Sequence, residues 1–198
     1  MRNLTLTIAV SLASTFVMAF TMAARMKVEP VKAIEEPSRP LALEVITPKP
    51  EATKIDLVVL DHNKFLEDIG FRESSGNYHA VNQFGYLGKY QFGRKTLNAL
   101  GYDEVTNREF LENHSLQEEA MYALLIHNKK ILRRQIEKYH GETIHGVKIT
   151  ESGLLAAAHL AGPGNVKKFL RKGYEFKDGN GTKMTEYLVK FSGYRLVL

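Results

Sequence analysis

Residues 150–162, with the sequence TESGLLAAAHLAG, are apolar on nearly every side of a helix. A helix of this kind is buried all round, so other helices have to surround it in the centre of a domain. Thr150 can cap its first turn, and Pro163 stands where a following helix can begin and continue to about Arg171. The segment therefore predicts a mainly α domain that is built around one buried helix.

Capping residues and helical spacing indicate three further helices, at residues 61–74, 115–139 and 182–193. Their expected caps are Asp61 or Asn63 for the first, Ser115 in a capping box with Glu118 for the second, and Thr182 for the third. Residues 77–92 are rich in Gly, Asn and Tyr and predict turns with at most a short hairpin. The expected fold class is mainly α, with little or no sheet.

The N-terminus has the pattern of an export signal. Arg2 precedes an apolar stretch over residues 4–24, and Arg25 and Lys27 follow it. Residues 1–24 are therefore expected to be a secretory signal peptide. A stretch of about 20 apolar residues is also long enough to stay in the inner membrane as an anchor, so cleavage and retention both stay open. Either way, the protein is expected to be exported to the periplasm or cell envelope.

Five of the six prolines lie in residues 25–54. Proline fixes φ and removes a hydrogen-bond donor, so this stretch is expected to be an extended, disordered linker. The folded domain is then expected at residues 55–198.

The chain has no cysteine, which excludes disulfides, thiolate metal sites and a lipid-modified N-terminal cysteine. Its seven histidines lack the spacing of metal ligands, so neither a metal nor a cofactor is expected. The formal net charge of +5 favours polyanionic partners, which include the carboxylate-bearing bacterial wall. Nucleic acid is not expected as the partner of an exported chain, and the oligomeric state stays open.

Glu73 is the first candidate for a catalytic residue. It lies four residues after Ile69 and seven after Leu66, so it continues the apolar stripe of its helix. Apolar surroundings and the C-terminal end of a helix both favour a protonated carboxyl, so a raised pKa is expected. The alternative is a glutamate at a helix end that points into water.

Three segments of the chain are similar to the lysozyme-like family of soluble lytic transglycosylases. The segments ESSG, GKYQ and AHLAGPG, at residues 73–76, 88–91 and 158–164, match the family patterns E-S-x-G, G-x-x-Q and A-Y-N-A-G-x-G in order and spacing. The resemblance covers roughly residues 65–169. The chain departs from the family at Lys89 and Tyr90, where aliphatic residues are usual, and at His159 and Leu160, which replace Tyr and Asn.

The resemblance implies a lysozyme-like helical domain whose turn region lines a glycan cleft. It implies cleavage of the β-1,4 bond between N-acetylmuramic acid and N-acetylglucosamine in peptidoglycan strands, with a 1,6-anhydro product and with Glu73 as acid and then base. The expected substrate-binding residues are Ser74, Tyr90, Gln91 and His159. Gln91 would hydrogen-bond the sugar or the backbone of its own loop, and Tyr90 would stack on a sugar or lie in the core. Ser74 would orient Glu73 or be a simple helix-end hydroxyl, and His159 would contact Glu73 or pack within its helix.

Two alternatives stay open at this stage. A hydrolytic muramidase needs a second carboxylate near Glu73, for which Asp103, Glu104 and Glu109 are candidates. A catalytically silent protein that binds or organises peptidoglycan would keep the fold without turnover.

Overall fold

The computed structural model describes residues 53–198 of the chain. The expected signal or anchor segment, residues 1–24, and nearly all of the expected linker, residues 25–54, lie outside the described residues. No helix within residues 53–198 combines the length and apolar character needed to cross a membrane.

The described part is mainly helical, as the sequence predicted. Its helices are α1 Lys54–Ser74, α2 Arg94–Ala99, α3 Asn107–Glu112, α4 His114–Tyr139, α5 Glu151–Ala161, α6 Pro163–Lys172 and α7 Met184–Lys190. The strands β1 Thr143–Ile144 and β2 Val147–Lys148 form a small antiparallel hairpin between α4 and α5. His145 and Gly146 connect the two strands with φ of 50° and 80°, which suits a two-residue hairpin turn.

Several helix boundaries differ from the expected ones. The first helix begins at Lys54, well before Asp61. The Asn113 side chain, rather than Ser115, caps α4 by accepting a hydrogen bond from the Leu116 N–H. The last helix begins one residue later than expected, because Lys183 rather than Thr182 is its N-cap residue. The short helices α2 and α3 were not predicted, since six residues are too few to show a helical period.

The central position of α5 confirms the prediction from residues 150–162. Its apolar residues from Leu154 to Ala157 have no exposed surface, and α5 packs against α4, α6 and α7. Thr150 caps it by accepting a hydrogen bond from the Gly153 N–H, and α6 begins at Pro163. A Cβ on Gly153 would lie 2.6 Å from the Leu188 carbonyl oxygen, so only glycine permits this close approach of α5 and α7.

Residues 75–92 form a compact loop that two side chains of α4 hold in place. Gln117 accepts a hydrogen bond from the Lys89 N–H and donates to the carbonyl oxygens of Tyr78 and Phe110. Glu118 accepts from the Tyr78 and Tyr90 hydroxyls and forms an ion pair of 2.7 Å with the Lys89 ammonium. The loop begins where α1 ends, so these contacts also fix the position of the chain next to Glu73.

Candidate active site

The Glu73 carboxyl is largely buried where α1 meets α5 and α7. Its side chain is 14% exposed, so the alternative of a glutamate that points into water is wrong. The Tyr187 hydroxyl donates a hydrogen bond of 2.5 Å to Oε1 of Glu73. His159 Nε2, from the last turns of α5, lies 3.5 Å from the same oxygen. The contact between His159 and Glu73 that the sequence left open is therefore present.

The surroundings of Glu73 pull its pKa in opposite directions. Burial is the largest influence and raises the pKa of Glu73. The hydrogen bond and charge of His159 lower that pKa, as do the Tyr187 hydroxyl and the Arg72 guanidinium. Together these lowering contributions prevail, and the pKa of Glu73 lies below its ordinary value of 4.5. The expectation of a raised pKa was wrong, because the spacing within α1 reveals the apolar neighbours of Glu73 but not His159 and Tyr187, which are distant in sequence.

Glu73 lies in the wall of a cleft of about 460 Å³. This volume is in the range of sites that bind small molecules or parts of a polymer. The other lining residues are Arg72, Asn82, Phe84, Tyr86, Gln91, His159, Leu160, Asp178, Gly179, Asn180, Thr182 and Tyr187. The resemblance grouped Glu73, Gln91 and His159, and the structure brings these three residues together in one cleft.

Two loops meet beside the cleft, the first at residues 75–92 and the second at residues 178–182. Asn82 Oδ1 accepts hydrogen bonds from the N–H groups of Phe84 and Tyr86 and so shapes the first loop. The Phe84 ring lies close to Gly179 of the second loop, where an added Cβ would be 3.0 Å from the ring. Phe84 and Tyr86 are nevertheless half exposed, at 51% and 44%, so both aromatic side chains have surface available to a ligand.

Gln91 occupies the cleft in an unusual backbone conformation. Its φ is 52°, in the left-handed region that residues other than glycine rarely adopt. Its Nε2 donates a hydrogen bond of 2.8 Å to the Gly88 carbonyl oxygen, which fixes the side chain against its own turn. Strained residues of this kind concentrate at functional sites, and they persist where the surrounding structure holds them.

Two of the expected substrate-binding residues, Tyr90 and Ser74, stabilise the fold and do not line the cleft. Tyr90 has no exposed surface, so it cannot stack on a sugar, and its hydroxyl donates to Glu118. Burial and the Glu118 carboxylate raise the pKa of Tyr90 far above its ordinary value. Ser74 does not line the cleft formed by the described residues, because its Oγ donates 2.8 Å to the Lys89 carbonyl oxygen. Both residues support the loop that follows Glu73.

The sequence did not single out Tyr187 or Asp178. A signal for Tyr187 is present, since Met184, Tyr187, Leu188 and Phe191 share one helical face and all are buried. A buried tyrosine requires a hydrogen-bond partner for its hydroxyl, and here that partner is Glu73. Asp178 lies in a glycine-rich turn and enters the cleft only through the tertiary structure, so nothing local marks it.

The described residues contain no cluster of three or more His, Cys, Asp or Glu side chains that could hold a metal ion. No family model, curated protein or solved structure matches the chain. Its chemistry therefore has to be inferred from the geometry of the cleft and from the three sequence segments.

Proposed function

We propose that this protein cleaves the β-1,4 bond between N-acetylmuramic acid and N-acetylglucosamine in peptidoglycan, with Glu73 as the catalytic acid and base. The observation that carries the proposal is the buried Glu73 carboxyl, which faces a cleft and has the Tyr187 hydroxyl and the His159 imidazole on the same oxygen. The three segments similar to lytic transglycosylases support the same assignment. The lysozyme-like fold and the exported location are parts of this proposal.

Glu73 has to donate a proton to the bridging oxygen as the N-acetylglucosamine leaves. His159 lowers the pKa of Glu73 through its charge only while the imidazole is protonated. In that state the pair carries one proton more than a neutral imidazole and an ionised carboxyl, and transfer of the Nε2 proton to Oε1 gives a protonated Glu73 and a neutral ring with Nδ1–H, without changing their net charge. His159 Nε2 lies 3.5 Å from Oε1, within ion-pair range but longer than an ordinary N–H···O hydrogen bond, so the two atoms have to approach each other before the proton passes.

The ionised Glu73 then accepts the proton of the muramoyl 6-hydroxyl while that oxygen closes on C1. The glycosidic bond breaks, a new C1–O6 bond forms, and the carboxyl regains the proton it gave away. No water is consumed, so the product is a 1,6-anhydro sugar. The half-exposed rings of Phe84 and Tyr86 offer surfaces on which sugar rings can stack, and Gln91 offers an amide to sugar hydroxyl or acetamido groups.

A second candidate function is the hydrolytic cleavage of the same bond, and one observation favours it. Hydrolysis normally uses a second carboxylate to activate water or to act as nucleophile. Asp178 lines the cleft together with Glu73, whereas Asp103, Glu104 and Glu109 do not. Its Oδ1 accepts hydrogen bonds from the N–H groups of Asn180 and Thr182, at 2.9 and 2.7 Å. Asp178 is thus the residue on which a hydrolase would depend.

Digestion of purified wall sacculi with mass spectrometry of the released sugars tests both candidates, because an anhydro product is one water lighter. We expect Glu73→Gln to lower the rate by at least about 100-fold while binding to sacculi persists. Asp178→Asn keeps the Oδ1 acceptor that shapes its turn, and we expect it to retain activity. Loss of activity in Asp178→Asn together with hydrated products would establish hydrolysis, and an inactive wild-type protein would indicate a binding or scaffolding role.

A further inference from the structure

The basic residues of the described chain are concentrated on two helical segments. Residues 129–138 of α4 and 167–172 of α6 contain nine of the 21 Lys and Arg residues within residues 53–198, but only one of the 17 Asp and Glu. The nine are Lys129, Lys130, Arg133, Arg134, Lys138, Lys167, Lys168, Arg171 and Lys172. The other described residues carry an excess of acid. These two segments, which we call the basic surface, therefore account for the whole positive charge of the described residues.

The two segments are neighbours, because α6 lies alongside the second half of α4. At the start of α6, Pro163 lines a cavity of about 340 Å³ together with Leu124 and Asn128 of α4. At its end, Phe169 contacts His145 of the hairpin that follows α4, with ring centroids 5.5 Å apart. The two helices also pack against each other. The nine cations thus lie on adjacent helices.

Most of these cations are available to a partner. Seven of the nine residues are exposed, and Lys129 and Lys167 are partly buried. Within residues 53–198, ion pairs engage only two of the nine, Lys129 with Glu151 at 2.8 Å and Arg133 with Glu137 at 3.7 Å. Helix faces that are simply solvated usually mix the two signs of charge, whereas residues 114–128 of α4 contain two glutamates and no Lys or Arg. A concentration of one sign of charge favours an external polyanion.

The basic surface begins beside the cleft. The cavity that Pro163 lines shares Gln91 and His159 with the cleft. A helix rises about 1.5 Å per residue, so Lys167 and Lys172 lie about 6 and 14 Å further along α6 than Pro163. A polymer that leaves the cleft past Pro163 therefore meets the basic surface within about 15 Å.

We propose that the basic surface binds the carboxylates of the peptides in the bacterial wall and holds the protein on the wall in addition to the cleft. The choice of partner rests on the function proposed above. Wall peptides carry carboxylates and are attached repeatedly along each glycan strand, so they complement a row of exposed cations. A strand that enters the cleft brings these peptides next to α6. This continuity with the cleft favours the wall over an anionic membrane as the partner.

The test is sedimentation of the full-length protein with purified sacculi over a range of protein concentrations. All proteins carry Glu73→Gln, so the wall stays intact during the measurement. Glutamine preserves helix propensity, so the variants should fold alike. The basic-surface variant carries Lys130→Gln, Arg134→Gln, Lys168→Gln and Arg171→Gln. The matched control has the same net charge but loses exposed cations outside the basic surface, through Lys54→Gln, Lys64→Gln, Arg108→Gln and Arg195→Gln.

An exposed ion pair contributes a factor of about two to three in affinity, so the basic-surface variant should bind about 15- to 80-fold more weakly at low salt. The control should lose less than about threefold, because charges far from the wall are screened. High salt should remove most of the difference between the two variants. Sacculi whose carboxylates have been converted to neutral amides should bind both variants equally.

Equal losses in the two variants would overturn the proposal, because net charge rather than its position would then control binding. A difference that persists on amidated sacculi would overturn it as well. Vesicles of phosphatidylcholine and phosphatidylglycerol, at about 2:1, test the other anionic surface. A loss confined to these vesicles, with normal binding to sacculi, would assign the basic surface to a membrane and refute the wall as its partner.

The digestion of sacculi by the protein without Glu73→Gln is a separate measurement. Digestion together with normal wall binding by the basic-surface variant refutes the basic surface and leaves the proposed function intact. Weaker wall binding by that variant alone, without any digestion by the wild-type protein, supports the basic surface and refutes the proposed cleavage.

Discussion

The hydrogen bond between Tyr187 and Glu73 allows a quantitative test of the site, through the variant Tyr187→Phe. Phenylalanine keeps the ring in its contact with Phe191, where the ring centroids are 5.2 Å apart, and removes only the hydroxyl. That hydroxyl donates 2.5 Å to a carboxyl whose side chain is 14% exposed. A hydrogen bond to a charged group contributes about 1.5–3 kcal/mol, so we expect a loss of this size in the free energy of unfolding near neutral pH.

The loss should depend on pH with a definite sign. The pKa of Glu73 in the folded protein lies below its ordinary value of 4.5, because the polar partners of the carboxyl outweigh its burial. A lowered pKa means that the stabilisation is fully present above the unfolded-state pKa and disappears as the pH falls through the folded-state pKa. In acid the carboxyl is neutral, and the effect of Tyr187→Phe should fall to roughly 1 kcal/mol or less.

The assay is urea-induced unfolding at a series of pH values for the wild-type protein, Tyr187→Phe, Glu73→Gln and the double variant. Tyr194→Phe is a matched control, since the Tyr194 hydroxyl donates 2.5 Å to Asp68, a carboxyl outside the cleft whose side chain is 32% exposed. Tyr194→Phe should lower stability by less than about 1 kcal/mol and leave cleavage unchanged. Removal of the Tyr187 hydroxyl should also raise the pKa of Glu73 and move the alkaline limb of the activity profile to higher pH.

A stability loss of Tyr187→Phe that is the same at all pH values would refute this reasoning. Strict additivity of the two single substitutions would refute it as well, because the hydroxyl and the carboxyl would then not interact.

Two further predictions concern the loop that follows Glu73. Glu118→Gln leaves the Lys89 ammonium, which is 11% exposed, without its carboxylate partner. The free energy of unfolding should fall by about 2–3 kcal/mol, less than for a fully buried pair because Glu118 is one-third exposed. In thermal unfolding, adding Lys89→Met should restore part of the lost stability, because it removes the unpaired charge. Gly88→Ala should cost about 2–4 kcal/mol, because its φ is +73° and the new Cβ would clash with the Gln117 side-chain amide, which is fully buried. Gly101→Ala, with a φ of +89° and open space, should show only the backbone strain of about 1–2 kcal/mol, and an equal effect of the two substitutions would contradict the packing explanation.

Local sequence determined those features that depend on neighbouring residues. The caps and apolar pattern of residues 150–172 predicted α5 and α6, because a capping side chain acts within one turn of its helix. The spacing of Leu66, Ile69 and Glu73 placed the carboxyl on the apolar stripe of its helix but left open a glutamate that points into water, and the tertiary structure decided for burial. The start of α4 was harder, since Asn113 and Ser115 are both good caps and the choice between them depends on how α3 ends.

The tertiary structure alone decided the roles of the polar groups. The sequence left Tyr90 available to stack on a sugar. In the structure its ring is fully buried, and its hydroxyl donates a hydrogen bond to Glu118, which is 28 residues away. Glu73 looked like a carboxyl with a raised pKa, but the fold brings Tyr187, 114 residues away, and His159 to the same oxygen. The ionisation of a buried group depends on every charge and dipole within a few ångströms, and the chain reveals only those neighbours that are also close in sequence.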